Sequence, residues 1–238
     1  LGDMIKVEIH SKEFGRIATQ NAKNVILQKI REEERKVLYD QYYGMEKEVV
    51  TGIVQRVMGK NVSVNLGKAD GILSENEQVK GEEFEPTERI KVYILEVKDT
   101  PKGPRILLSR THPGLVKRLF ESEVAEVKDG TVEIKSIARE AGSRTKIAVW
   151  SNDPDVDAVG ACVGMNGARV NAVVEELRGE KIDIINWDEN PAILIENALS
   201  PAKVIAVMAD PDEKTALVVV PDYQLSLAIG KEGQNARL

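Results

Sequence analysis

Apolar and polar positions follow two different periods along this chain of 238 residues. Between residues 15 and 43, apolar side chains recur at mainly helical spacing with charges between them, which predicts one long amphipathic helix. From residue 46 to 110 the period changes to two, as in strands whose alternate side chains face a core. Short strands are predicted at residues 4–10, 49–53, 62–66, 71–73, 90–97 and 105–108. Turn-forming residues separate the last five, which predicts a small antiparallel barrel of OB type.

The remaining sequence predicts one α-β-β-α-α-β unit and the beginning of a second. In the first unit, helices are predicted at 115–124 and 168–177, with a short helix after Asp153-Pro154-Asp155, and strands at 131–138, 145–150 and 181–187. In the second, helices are predicted at 192–199 and 222–229, and strands at 203–209 and 215–220. Since the chain stops at Leu238 before the second unit is complete, we expect a fragment of a longer protein and a second unit that is poorly covered on one face.

Both units carry the pattern Gly-x-x-Gly between two predicted helices. The first is Gly164-Met165-Asn166-Gly167, and the second, 66 positions later, is Gly230-Lys231-Glu232-Gly233. Glycines three apart remove Cβ atoms from both sides of a turn, so backbone N–H groups and a helix N-terminus can approach a phosphodiester. One such turn is weak evidence, because helical corners with two glycines occur in many folds. Its repetition in matching context favours binding to a nucleic-acid backbone.

Composition narrows the kind of protein. The chain has 42% apolar residues and a formal net charge of −6, which argues against the broad electrostatic adhesion of a sequence-blind DNA binder. We therefore expect local grooves and backbone amides that select single strands. The single cysteine, Cys162, excludes a disulfide framework or a multi-cysteine metal site and fits a reducing compartment, so we expect a cytoplasmic protein. No apolar run reaches the length of a membrane span, and we expect no contact with a membrane.

The sequence predicts no catalytic site, no cofactor and no metal. The two histidines, His10 and His112, fall in different predicted modules. Cys162 lies on the apolar side of a helix, where a buried small hydrophobe is expected rather than a nucleophile. Glu232 follows Gly230-Lys231 where a nucleotide-binding P-loop needs serine or threonine in that pattern. We therefore predict a protein that is not an enzyme.

The modules resemble known families. The α-β-β-α-α-β unit with Gly-x-x-Gly resembles a type II KH domain, and the barrel resembles an S1 domain. Several segments are similar to the NusA family of bacterial transcription factors: Leu-Ser-Arg-Thr at 108–111, Gly-Ser-Arg-Thr-Lys-Ile-Ala-Val at 142–149, and the two segments 159–167 and 224–235 that contain the glycine turns. Residues 13–18 and the helix after them are similar to the end of that family's polymerase-binding domain, so the resemblance covers nearly the whole chain.

The resemblance implies an α+β multidomain protein with an N-terminal helical segment, a five-stranded OB-type S1 barrel and two tandem type II KH domains, the second truncated. It implies four parts: the end of a polymerase-binding domain with its connecting helix (1–44), the S1 domain (45–111), the first KH domain (112–188) and an incomplete second KH domain (189–238). The implied function is an RNA-binding transcription factor that associates with RNA polymerase and single-stranded nascent RNA to modulate pausing, termination and antitermination. We expect a monomer.

The same resemblance places the RNA contacts on the two turns and the residues after them. The implied contacts are Gly164, Met165, Asn166, Gly167 and Arg169 in the first unit, and Gly230, Lys231, Glu232, Gly233, Gln234 and Asn235 in the second. Val163, Val170 and Ile229 flank the turns as a possible groove floor, although core packing is the simpler interpretation. Arg56, Lys60, Arg105 and Arg110 of the barrel are candidates for guiding RNA, with plain solvated surface as the alternative. The predicted second barrel strand lacks stacking aromatics, which favours a spacer or a protein-contact role.

Two other classes of protein remain open. S1 and KH modules accompany phosphorolytic exoribonucleases, although there a single KH module precedes S1 and follows a large catalytic core. A translation-associated RNA-binding protein is the third class. The connector Glu189-Asn190-Pro191 is short, so we predict a fixed relation between the two KH units and one continuous RNA path.

Overall fold

The computed structural model describes residues 15–238, and the strand predicted at 4–10 lies outside them. Helix α1 (Arg16–Tyr43) is the predicted long helix. Its C-terminal end packs on the barrel, where the buried Tyr42 donates its hydroxyl to the Leu66 carbonyl at 3.1 Å. Further upstream its apolar stripe is exposed to solvent, at Ile17, Val25, Ile26, Ile30 and Val37. The helix is therefore confirmed, but within residues 15–238 only its last turns are covered.

Five strands close into a barrel in the order β1-β2-β3-β5-β4. They are β1 (Val49–Met58), β2 (Asn61–Asn65), β3 (Asp70–Leu73), β4 (Arg89–Lys98) and β5 (Arg105–Ser109). The barrel is confirmed, but the prediction that it is antiparallel throughout was wrong for one pair, because β3 and β5 are parallel. A closed ring with an odd number of strands cannot alternate direction at every pairing. The barrel core is formed by inward side chains that alternate along the strands, such as Val62, Val64, Val92, Ile94 and Leu108.

The first α-β-β-α-α-β unit has the predicted order. It contains α2 (Pro113–Glu123), α3 (Ala125–Lys128), β6 (Val132–Glu140), β7 (Arg144–Ser151), α4 (Ala158–Val163), α5 (Ala168–Glu176) and β8 (Lys181–Asn186). The short helix α3 is an addition to the prediction. Its sheet has the order β6-β7-β8, with β6 and β7 antiparallel and β7 and β8 parallel. One face of this sheet packs on the helices through a core that includes Val132, Ile147, Val149 and Cys162.

The second unit repeats the order and is much more open. It contains α6 (Pro191–Ala198), β9 (Ala206–Asp210), β10 (Thr215–Val219), α7 (Asp222–Ile229) and α8 (Gln234–Arg237). Strand β9 begins three residues later than predicted, and the Lys203 N–H donates to the Gln224 side chain. Large apolar side chains are exposed on its strands and on α7, including Met208, Leu217, Leu225 and Leu227. This agrees with the expectation of a poorly covered face.

Arg110 joins the barrel to the first unit. Its side chain is 1% exposed, and its Nε and Nη2 each donate to the Glu82 carboxylate at 2.7 Å. Its guanidinium also donates to the Lys91 carbonyl at 2.7 Å and to the Glu176 carbonyl, at the end of α5, at 3.1 Å. Arg110 is therefore a buried link between two domains, and the prediction that it guides RNA along the surface is corrected.

Within residues 15–238, no helix combines the length and the apolar character that crossing a membrane requires.

Candidate nucleic-acid interface

The two glycine turns have the same backbone conformation to within a few degrees. Gly164 and Gly230 have φ and ψ of 74° and 174°, and of 77° and 169°. Asn166 and Glu232 both lie in the left-handed region, with φ of 53° and 54°, and each is followed by a glycine with positive φ. In both turns the N–H of the second glycine donates to the carbonyl of the first at 3.1 Å. The sequence repeat is therefore a repeat of three-dimensional structure.

The first glycine of each turn is required by the turn itself. Its φ and ψ fall in a region that is essentially reserved for glycine. A Cβ on Gly164 would lie 2.8 Å from Cγ of Arg169, and one on Gly230 would lie 2.8 Å from Cβ of Asn235. Arg169 and Asn235 occupy the same position, five residues after the first glycine. The turns are thus tight because the residue at this position lies directly beneath them.

Both of these underlying side chains are committed to internal hydrogen bonds. Arg169 Nη1 donates to the Ala161 carbonyl at 2.7 Å and to Glu126 at 2.8 Å, and its side chain is 35% exposed. Asn235 is 4% exposed, and its Nδ2 donates to the Ala228 carbonyl at 3.0 Å. Each residue ties the turn to a carbonyl of the preceding helix. The structure therefore places both side chains beneath the turns. The sequence predicted them as RNA contacts, which would lie on the outer surface.

The outer surface of the turns is formed by the two middle residues of each. Met165 is 85% exposed, and Asn166, Lys231 and Glu232 are also exposed. In the first turn there is no charged side chain, and in the second the lysine stands beside a glutamate. Phosphate binding here would depend on backbone N–H groups and helix ends more than on net positive charge.

The residues after the second turn contact the first unit. Gln234 Nε2 donates to Glu140 at 2.9 Å and to the hydroxyl of Ser143, and Arg237 Nε donates to Glu140 at 2.8 Å. The hydrogen bonds that Glu140 accepts from Arg237 and Gln234 lower the pKa of its carboxyl, the one from Arg237 most strongly. A second contact lies on the sheet of the first unit, where buried Lys146 donates to the Ala198 carbonyl of α6. The second unit is thus held against the first unit at several points.

The flanking candidates differ in exposure. Val170 packs against the core of the first unit and Val163 is half-buried, whereas Ile229 is 44% exposed beside the second turn. In the barrel, Arg56 and Arg105 are exposed, and Lys60 forms an exposed ion pair with Glu75 at 3.0 Å. Ile229 is therefore the flanking residue most accessible to a ligand.

The surroundings of Cys162 and His112 give both residues a role in the fold. Cys162 is fully buried at the core face of α4, and burial raises the pKa of its thiol to about 11, so the thiol is protonated at neutral pH. His112 is exposed and caps α2, where its Nδ1 accepts from the Gly114 N–H at 2.9 Å. Its ring stacks on Tyr93 with centroids 4.6 Å apart. Both agree with the sequence prediction of a buried hydrophobe and a surface histidine.

Comparison with known proteins matches nearly all of the chain to family models. Four family models match in order: the NusA N-terminal domain (1–36), the S1 RNA binding domain (44–109), the NusA-like first KH domain (110–187) and the NusA-like second KH domain (191–238). The transcription termination/antitermination protein NusA of Mycobacterium tuberculosis H37Rv is 50% identical over 234 residues, which cover 94% of this chain and 67% of that protein. The chain belongs to the NusA family.

Other members of the NusA family are also similar over the full chain. The protein of the same name from Bacillus subtilis is 57% identical and that from Thermus thermophilus 45% identical, each across 100% of this chain. The chain spans 64% and 62% of their lengths, respectively. The resemblance predicted from the sequence motifs is therefore confirmed, and so is the fold class of barrel and tandem KH units.

Sequence reasoning missed the distant partners of the residues that follow the two turns. Glu140 and Ser143 lie more than 90 positions before Gln234, and Glu126 lies 43 positions before Arg169. No local sequence motif predicts such pairs. They form only when one unit packs on another, or when a helix packs against a turn. One signal was available in the sequence: a polar residue with side-chain N–H donors stands five positions after the first glycine in both copies.

Proposed function

We propose that this region of a NusA-family protein binds single-stranded RNA through its two Gly-x-x-Gly turns. The observation that carries the proposal is the matched geometry of the two turns on tandem KH units. The outer contacts are assigned to residues 164–167 and 230–233, with Gln234 at the edge of the second turn. Arg169 and Asn235 are assigned a supporting role beneath the turns. Because the charge near the turns is small, binding is expected to depend on geometry and to be selective for single strands.

We further propose that the RNA bound here is nascent transcript and that the protein acts with RNA polymerase to modulate pausing, termination and antitermination. The relatives' shared name, transcription termination/antitermination protein, supports this role. The proposed activity is binding, with no chemical step, by a monomer in the cytoplasm. The limits 1–44, 45–111, 112–188 and 189–238 are our proposed domain boundaries.

Aspartate at the four middle positions of the turns is expected to weaken RNA binding by at least about tenfold. Met165, Asn166, Lys231 and Glu232 are exposed, and aspartate tolerates the left-handed conformation at the second middle position. A negative charge a few ångströms from a phosphate in water costs about 1 kcal/mol, and three of the four substitutions add such charge, since Glu232→Asp keeps the charge that is already there. Affinity for a single-stranded RNA oligonucleotide is measured by fluorescence anisotropy at several salt concentrations.

A charge-matched control separates the turns from overall charge. Lys23→Glu with Lys36→Glu changes the net charge by the same amount on the exposed part of α1, far along the chain from either turn. This control is expected to bind RNA within about twofold of the unaltered protein. Equal affinity of the unaltered protein and the turn variant would contradict the proposed function.

Association with polymerase is tested separately, on the full-length protein. A tagged full-length protein is expected to retain RNA polymerase after nuclease treatment, because the contact is between proteins. Retention of ribosomes without polymerase would assign the protein to translation instead. Incubation with labelled RNA, phosphate and magnesium is expected to leave the RNA at its original length, whereas shortening would assign it to the exoribonuclease class.

A further inference from the structure

The only two tryptophans of the chain lie side by side at one end of the sheet of the first KH unit. Trp150 lies in β7, and Trp187 follows β8 and donates its backbone N–H to the Val149 carbonyl at 2.8 Å. Their rings meet edge to face, with centroids 5.7 Å apart and planes at 87°. Trp150 is 42% exposed although its ring is a large apolar surface. The proposed contacts at the glycine turns do not use this pair.

The tryptophans line an open cleft of about 360 Å³ together with three carboxylates. These are Asp153, Asp157 and Asp188. Asp153 and Asp188 accept backbone N–H groups, from Asp155 at 2.9 Å and from Asn190 at 2.7 Å. Among residues 15–238 none of the three has a lysine or arginine partner within ion-pair distance. The cleft thus combines aromatic surface with three carboxylates that form no ion pair with a lysine or arginine of the described chain.

The rings already hold one cation of the protein itself. Lys135 Nζ lies 5.5 Å from the centroid of Trp187, and the same ammonium pairs with Glu133. An indole face attracts cations because its π-electrons are negative, and tryptophan is the strongest of the aromatic side chains in this respect. A phosphate would meet three carboxylates here, so the cleft suits a cation and not a polyanion. No three acidic, histidine or cysteine side chains of residues 15–238 converge as ligands for a metal ion.

We propose that the Trp150–Trp187 cleft is a docking site for an arginine side chain presented by an exposed basic segment of a partner protein. A guanidinium stacks flat on an indole ring and donates several hydrogen bonds in its plane, which matches an aromatic wall beside carboxylates. The volume is near the lower limit for ligand pockets, which fits a side chain and its flanking backbone. The occupant is thus selected by charge complementarity and by shape. This site is independent of the RNA-binding turns.

The two tryptophans make the test specific, because each indole signal of the protein reports on this cleft. The full chain is titrated with the blocked peptide acetyl-Gly-Arg-Gly-Arg-Gly-amide, and the two indole N–H resonances and the tryptophan fluorescence are followed. Both indole resonances are expected to shift and to saturate. The same peptide with citrulline in place of arginine keeps the shape and loses the charge, and it is expected to bind at least about tenfold more weakly.

Variants locate the binding. The first variant combines Asp153→Asn, Asp157→Asn and Asp188→Asn. Asparagine keeps a side-chain oxygen that can accept backbone N–H groups, so the loop is expected to fold. Its affinity for the arginine peptide is expected to fall at least about tenfold. The matched control is Asp210→Asn with Asp212→Asn and Glu213→Gln in the acidic turn between β9 and β10, which is expected to leave the affinity unchanged. Trp150→Leu at its exposed position is expected to remove the shift of the Trp187 resonance.

Three outcomes would overturn the proposal. They are an equal response to the arginine and citrulline peptides, unchanged affinity in the triple asparagine variant, and saturating shifts of both indole resonances with single-stranded RNA when the arginine peptide gives none. The last result would assign the cleft to the RNA path. The turn variant that tests RNA binding alters different residues. Failure of the arginine-docking proposal therefore leaves the RNA-binding proposal unaffected, and the reverse also holds.

Discussion

Replacing Glu180 with glutamine is expected to lower the free energy of unfolding by about 3–5 kcal/mol. Glu180 is 1% exposed, and its carboxylate accepts hydrogen bonds from Nε and Nη2 of Arg139, both at 2.9 Å. It also accepts from the Gly142 N–H at 2.8 Å and from the Thr145 hydroxyl. Glutamine removes the charge and leaves the buried Arg139 guanidinium without its anionic partner. Urea denaturation of the full chain, followed by circular dichroism, measures the loss.

An exposed ion pair supplies the control for this change. Glu75→Gln removes the carboxylate that pairs with Lys60, where the two side chains are 57% and 77% exposed. Exposed pairs contribute little, because water screens them, so the control is expected to unfold at the same urea concentration as the unaltered protein. Should Glu180→Gln also unfold there, the buried pair would not stabilise the fold.

The stabilisation by Glu180 is also expected to depend on pH in one direction. Burial raises the pKa of the Glu180 carboxyl, but the hydrogen bond and charge of Arg139, with Thr145 and Gly142, lower it by more, so it lies below its ordinary value of 4.5. A carboxyl with a lowered pKa in the folded state stabilises the fold above the unfolded pKa and loses that contribution as the pH falls through the folded pKa. The difference between the unaltered protein and Glu180→Gln is therefore expected to be full at pH 7 and to shrink below about pH 4.5. A difference that grows on acidification would contradict this assignment.

Replacing Arg110 with methionine is expected to destabilise the chain by about 3–5 kcal/mol and to loosen the barrel from the first KH unit. The variant leaves the Glu82 carboxylate buried at 5% exposure without a positive partner. It also leaves the carbonyls of Lys91 and Glu176 without the donors that bridge the two domains. Calorimetry is expected to show a lower midpoint, and nuclear relaxation is expected to show that the barrel and the KH unit tumble less as one body.

A second substitution separates the lost charge balance from the lost packing. Arg110→Met with Glu82→Gln removes both charges, so no uncompensated ion stays buried, and a clear part of the stability is expected to return. RNA affinity of the folded Arg110→Met protein is expected to be unchanged, since this residue does not reach the surface. A double variant as unstable as the single one would show that the hydrogen bonds across the junction, rather than the ion pair, dominate.

Local pattern accounts for most of what the sequence predicted correctly. Helix α1, the five barrel strands and the α-β-β-α-α-β order each follow from spacing within a few residues, because periodicity of apolar residues is a local property. The parallel pair β3–β5 was missed, since strand direction in a closed barrel depends on how the ends of the ring meet. The late start of β9 was missed because a side chain from α7, Gln224, takes the N–H of Lys203.

At the candidate site, too, the sequence predicted the local features and missed the tertiary contacts. The two turns were found because glycine is the residue that their backbone conformation requires, and this requirement is visible in the sequence. The burial and hydrogen-bond partners of Arg169, Asn235 and Arg110 could not be predicted from the sequence. A polar residue near a turn or at a domain edge gives the same sequence pattern whether its side chain faces water or a carbonyl. Only the packing of one helix or domain on another gives these side chains their partners.

By itself, the sequence determined the modules, their order, the paired turns and the family, because each of these follows from short-range spacing and composition. The tertiary structure decided which polar residues lie beneath the turns, how Glu140 and Lys146 hold the second unit on the first, and that Arg110 is buried. It also brought Trp150 and Trp187, 37 positions apart, to one cleft at the ends of neighbouring parallel strands. The physical reason is that burial and pairing depend on what lies opposite a residue in space, and this is fixed only when distant segments pack.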